Sequence, residues 1–104
     1  MTIATALIGN TTANIYASSG NSAITWLSIN SYGTGNVTAN VYVVPSGGSA
    51  GAQNQILTNL LITEGDTYQL YAGGEKLLLS NNDSIRAVAN TSSILNAVVS
   101  YTSI

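Results

Sequence analysis

The sequence predicts an all-β fold, an antiparallel β-sandwich of jelly-roll-like or immunoglobulin-like type, on three observations. Short apolar segments recur about every ten residues between clusters of Gly, Asn, Ser and Thr, the rhythm of a sandwich. Several segments alternate apolar and polar residues with a period of two, as half-buried strands do. No segment carries a helical period that survives its flanking turns.

Taken in order, Thr2 to Ile8 and Ala13 to Ala17 read as strands separated by Gly9-Asn10-Thr11. Ala23 to Asn30 is a strand with apolar side chains on both faces, which places Trp26 at an interface or a sandwich edge. Ser31 to Asn36 supplies residues that tolerate positive φ, so this strand and the next are expected to form a hairpin. The next is the clearest: Val37, Ala39, Val41 and Val43 share one face, with Thr38, Asn40 and Tyr42 on the other. Pro45 to Ala52 follows, where proline stops the ladder and glycines free the chain; it is expected to be a loop crossing between sheets. Ile56, Thr58, Leu60 and Ile62 are expected on one face of a strand that ends at Thr63-Glu64-Gly65-Asp66. Leu57 to Leu61 has some helical propensity, but close turns and Asn59 argue for strand. Tyr68 and Leu70 mark a short strand before Gly73-Gly74, and Lys76 to Ser80 another before Asn81-Asn82-Asp83. Ser84 to Ala89 and Ile94 to Tyr101 complete the set, separated by a turn at Asn90 to Ser93, with Leu95, Ala97, Val99 and Tyr101 on one side.

Length and composition narrow the function. At 104 residues the chain has room for one domain, residues 1–104, able to bury roughly 60–70% of its unfolded surface. Charged residues make up 6% of the chain against a usual ~25%, so the surface is coated with amides and hydroxyls. That coating suits a protein packed among copies of itself or a partner, where charges would need desolvation; a stable neutral module that is soluble through its amides is the alternative. Two basic residues fall short of the phosphates a nucleic-acid binder must neutralise, so no nucleic-acid partner is expected. No apolar run reaches the ~20 residues of a membrane span, and Met1 to Ile8 lacks a basic n-region and is too short for a signal peptide.

Chemistry is scarce as well. With no His and no Cys, the common nucleophilic triads, most zinc sites and the side chain that titrates near neutrality are unavailable. Glu64 and Asp66 in one turn read as solvated acids and not as a glycosidase pair. A calcium ion held by Glu64, Asp66 and Asp83 would need all three at one end of the sandwich, and turn chemistry explains Asn81-Asn82-Asp83 as well. The Gly47-Gly48 segment lacks the Lys and the following helix of a phosphate loop. No enzyme activity, metal or cofactor is expected. The aromatic residues, six Tyr and one Trp with no Phe, suggest rings that keep a hydroxyl at a wet or subunit boundary; a sugar-binding module would use such rings as stacking platforms, and several are expected to be core residues with a hydroxyl at the rim.

A set of short motifs carries a family resemblance: Val41-Tyr42-Val43-Val44-Pro45-Ser46-Gly47-Gly48, Glu64-Gly65-Asp66-Thr67-Tyr68, Glu75-Lys76-Leu77-Leu78-Leu79, Asn82-Asp83-Ser84-Ile85-Arg86-Ala87 and Val98-Val99-Ser100-Tyr101. In their order the chain, from about Ile15 onward, resembles the small β-sandwich virion proteins of tailed bacteriophages, especially of cyanophages. The resemblance implies a virion accessory protein: a capsid decoration or cement protein on the capsid surface, a homo-oligomer (trimer), partnered by the major capsid protein or another virion protein. A tail, neck or fibre component, able to bind a host glycan, is the alternative it leaves open. The resemblance names no functional residues. From the residues themselves, partner contacts are expected at Thr2, Ile3 and Leu7 of the first strand, at Trp26, and at Pro45, Gly47 and Gly48 of the loop.

Overall fold

The computed structural model describes residues 2–70, 77–90 and 95–104. Tyr71, Glu75, Lys76, the Gly73-Gly74 turn and most of the Asn90 to Ser93 turn lie outside them. Among the described residues there are nine strands: β1 (Thr2–Ile8), β2 (Ala13–Ala17), β3 (Ser22–Ser31), β4 (Val37–Val44), β5 (Gln55–Ile62), β6 (Thr67–Leu70), β7 (Leu77–Leu79), β8 (Ser84–Ala89) and β9 (Leu95–Ser103). One sheet has the order β1-β9-β3-β6, with β7 also paired to β3; the other has the order β2-β8-β4-β5. Every pairing is antiparallel. Because β6 and β7 both pair with β3, they act as two pieces of one strand position, and the sandwich reduces to two four-position sheets. With consecutive positions alternating between the sheets except at β4–β5, this is the jelly-roll arrangement of two Greek keys, which decides between the two expected topologies.

The core lies between the sheets. Ile8, Ile24, Leu27, Ile29, Val41, Ile85, Leu95, Ala97 and Val99 are almost fully buried, contributed by both sheets at every second residue, as the pleat requires. The β3 alternation that is unclear in sequence has a cause: its pairing with β9 shifts register between Ile24 and Trp26. A bulge puts two residues opposite one, so Ile24, Leu27 and Ile29 all face inward while Trp26 and Ser28 face outward. Trp26 therefore sits on the outer face of an interior strand and not at the sandwich edge.

Three sequence expectations are corrected. Strands β3 and β4 belong to different sheets, so Ser31 to Asn36 crosses between sheets and does not close a hairpin. Conversely β4 and β5 pair with each other, so the Pro45 to Ala52 loop stays within one sheet; it is followed by a 3-10 turn at Ala52–Asn54. In β5, Ile56 is exposed, and Leu57, Leu60 and Ile62 are the residues that pack on the core. Asn59 adopts φ 49°, with its N–H donating to Asn40 Oδ1 at 2.7 Å, and this irregularity resets which side chains face inward.

Positive φ is also required at Gly65, φ +80°, in the turn from β5 to β6. A Cβ there would meet nothing within 4 Å, so the penalty of Gly65→Ala is purely backbone. It is expected to destabilise by about 1 kcal/mol and to lower the thermal midpoint by roughly 4–8 °C in a calorimetric scan.

A candidate contact face on the first sheet

The outer face of the β1-β9-β3-β6 sheet is built from three rows of directly opposed residues. Ile3, Ser100 and Trp26 form the first; Thr5, Val98, Ser28 and Gln69 the second; Leu7, Asn96, Asn30 and Thr67 the third. Opposed residues on antiparallel strands project to the same side, and strands lie about 4.8 Å apart, so Ile3 and Trp26 are about 10 Å apart across Ser100. Beyond the first row, Leu78 and Thr102 both stand opposite Ala23. Ile3, Leu7 and Leu78 are 67%, 68% and 66% exposed, while Trp26 is half-buried.

No side chain in these rows is ionisable. What is polar is neutral: Thr67 Oγ1 donates to Asn30 Oδ1 at 2.8 Å, and the others are hydroxyls and amides. Covering such a face removes aliphatic surface from water, worth ~25 cal/mol per Å², and strips hydration from no formal charge. The other sheet differs, since Arg86 lies on its outer face opposite Tyr42 with Nε donating to Ser84 Oγ at 3.1 Å.

The structure brings Ile3, Leu7 and Trp26 onto one face. Pro45, Gly47 and Gly48 are exposed but belong to the β4–β5 connection of the opposite sheet, so they do not extend it. Leu78 is the exposed apolar residue of this face that sequence reasoning passes over. Leu77-Leu78-Leu79 reads as a uniform apolar run, yet strand alternation alone turns its middle residue away from its neighbours.

The acids serve the turns. Glu64 Oε1 accepts from Gly35 N–H at 2.7 Å, and Glu64 N–H donates to Asn36 Oδ1 at 3.2 Å. Asp66 accepts from Thr63 Oγ1. Asp83 accepts from Ser46 N–H through Oδ1 at 2.8 Å and from Ser80 N–H through Oδ2 at 2.9 Å. Strand β4 starts beside Ile62, near Glu64, and ends beside Ser84, next to Asp83; its eight residues span about 26 Å. Asp83 is thus at the opposite end of the sandwich from Glu64 and Asp66, and these three do not make one calcium site. No group of three potential metal ligands occurs among the described residues.

Two half-buried tyrosines pack against the core. The rings of Tyr16 and Tyr101 lie 4.3 Å apart at 33°, and Tyr16 Oη shares a hydrogen bond of 2.9 Å with Ser22 Oγ, itself 2.8 Å from Ser18 Oγ. On the second sheet, Thr38, Asn40, Asn59, Val88, Ala89 and Asn90 line a shallow depression of about 130 Å³. None of these six is aromatic, so the depression has no ring on which a sugar could stack.

Compared with known proteins, the chain matches no family model and no curated protein. Among solved structures it is similar to a chain in the structure of infectious bursal disease virus Gx strain, at 10% identity and a TM-score of 0.41. That similarity covers 94% of this chain and 32% of the viral one, so the present chain spans about a third of the neighbour's length.

Proposed function

We propose that this chain is a virion structural protein, a decoration or cement protein of a tailed bacteriophage that binds the assembled capsid. The observation that carries the reading is the charge-free outer face of the first sheet, with Ile3, Leu7, Trp26 and Leu78 set among hydroxyls and amides. A partner meeting it gains apolar burial and neutral hydrogen bonds. Ser, Thr and Asn side chains there must find partners on the shell, which gives specificity of position. The sequence resemblance to small phage virion proteins supports the same reading.

The mechanism is thermodynamic. A protein that binds only the closed shell adds RT ln(1 + [L]/Kd) per site to the free energy of opening it, about 2.7 kcal/mol at a hundredfold excess over Kd. Pro45, Gly47 and Gly48 form an exposed, uncharged loop on the second sheet, and in this reading that loop touches a neighbouring capsid subunit. A trimer would set three such faces on one symmetry axis of the shell.

Antibody labelling of virions that carry the protein tests the location. Label over the shell is expected; label over the tail or neck would transfer the reading to a tail, neck or fibre component, and virions without label would remove it. Trp26→Ser is expected to lower occupancy of the shell at least about tenfold, since buried Trp residues dominate many interfaces, while leaving the circular dichroism of the free protein unchanged.

A further inference from the structure

The four edges of the sandwich are not alike. Natural sheets blunt their edges with short strands, bulges, prolines or charges, because an unpaired ladder recruits other strands. Here β6 and β7 have four and three residues. Strand β2 has five residues and a register shift between Asn14 and Tyr16, and β5 is broken by two register shifts and by Asn59 at φ 49°. Strand β1 has none of these devices. It pairs residue for residue with β9 from Thr2↔Tyr101 to Ile8↔Leu95 without a shift, its seven residues include no charge, Gly or Pro, and among the described residues no strand pairs with its other side.

The sequence of this open edge is also nearly its own mirror. Read outward from Thr5, it runs Ala4 and Ala6, then Ile3 and Leu7. We propose that β1 is a homotypic docking edge: a second copy of the chain adds its β1 antiparallel, about a two-fold axis through Thr5, joining two first sheets into one. In that register Thr5 meets Thr5, Ala4 meets Ala6, and Ile3 meets Leu7 of the other copy. All seven residues are paired, and every opposed pair projects to a common face, which a slip by one residue would destroy. Ile3 and Leu7, 67% and 68% exposed in the single chain, gain an aliphatic cross-strand neighbour. The inward Ala4 and Ala6 bring no bulk that would hold the strands apart.

A partner of unrelated sequence would satisfy the backbone of this edge, but the near-palindrome favours a second copy, since a two-fold contact must be self-complementary. The contact is about 24 Å long and falls in the small, weak class of interfaces, so association is expected to depend on concentration. It does not depend on the virion reading, and a trimer would require a further, heterologous surface.

The chain has no Cys, so single cysteines report the contact cleanly. Across the axis Thr5→Cys places its Cα atoms ~4.5–5.5 Å apart, inside the usual disulfide range. Under mild oxidation of the full chain it is expected to cross-link at least about tenfold faster than Thr58→Cys on the exposed face of β5. A mass-tagged mixture of Ile3→Cys and Leu7→Cys is expected to give mainly the mixed product. In sedimentation experiments Thr5→Lys is expected to weaken self-association at least about tenfold by opposing like charges, and mixing it with Thr5→Glu is expected to restore pairing. Circular dichroism of each variant confirms that the fold is kept. A wild-type chain that stays monomeric to about 1 mM, Thr5→Cys cross-linking no faster than Thr58→Cys, or self-association indifferent to Thr5→Lys would each overturn the proposal.

Discussion

Leu27→Ala is expected to lower the unfolding free energy by about 3 kcal/mol and the thermal midpoint by roughly 12–24 °C. Leu27 is 1% exposed and sits on β3, which pairs with β9, β6 and β7 and so ties together most of the first sheet. Truncation loses the transfer free energy of three carbons and leaves a space that the surroundings cannot close. Two rigid sheets hold that layer apart, and its other members include Ala39, Ala87 and Ala97, too short to reach across. Leu7→Ala, the same chemical change at a side chain 68% exposed, is expected to move stability by less than about 0.5 kcal/mol. Urea titration of both variants checks the contrast; equal losses would mean that Leu7 is covered in solution.

The second large effect is expected at Asp83, which among the described residues is the one carboxylate that joins separate elements at its end of the sandwich. Its two oxygens hold Ser46 of the β4–β5 loop and Ser80 of the β7–β8 turn. Its backbone carbonyl accepts from Ser18 N–H at 2.8 Å, and Asn82 N–H donates to Ser18 O at 2.9 Å. Three connections are thus fastened around one residue. Hydrogen bonds to a charged acceptor contribute ~1.5–3 kcal/mol when well shielded, and these are partly solvated, so Asp83→Ala is expected to cost about 2 kcal/mol in total. Asp83→Asn keeps one acceptor oxygen and is expected to cost about half as much. Amide exchange at Ser46 and Ser80 should accelerate in Asp83→Ala, while amides of the β1–β9 ladder keep their relative protection. A neutral Asp83→Ala would show that the loop end is held by its backbone contacts alone.

Much of the strand pattern is legible in the chain because it is local. The bounds of β1, β2, β4 and β8 follow directly from period-two alternation and from the turn residues that enclose them. Sheet membership is not local, and there the reading fails. Gly33, Gly35 and Asn36 offer the same turn chemistry to a hairpin as to a crossing between sheets, and only the pairing of β3 with β9 and of β4 with β8 decides which it is. The bulge near Thr25 and the positive φ of Asn59 mislead in a related way. Each inserts one residue into a regular alternation, so faces counted from one end of the strand are inverted at the other. At the contact face, Ile3, Leu7 and Trp26 can be chosen from sequence as exposed apolar candidates. Their meeting on one face, Ile3 and Trp26 across Ser100 and Leu7 beside Asn96, depends on β9, some seventy residues further along the chain than Trp26.

The position of β9 has a consequence for how the molecule is made. Strand β9 leaves the ribosome some ninety residues after β1, yet it is inserted between β1 and β3. At translation rates of ~5–20 residues per second, β1 waits on the order of 5–20 s for its partner while β3 lacks its central neighbour. Until β9 emerges, nascent chains therefore display an unpaired, uncharged β1 and one open side of β3, and crowded polysomes are the setting in which such edges would capture one another. Completion of the first sheet is a release step governed by the C-terminal segment, Leu95–Ser103. A chaperone that shields β1 until that segment emerges is expected to raise the yield of folded protein.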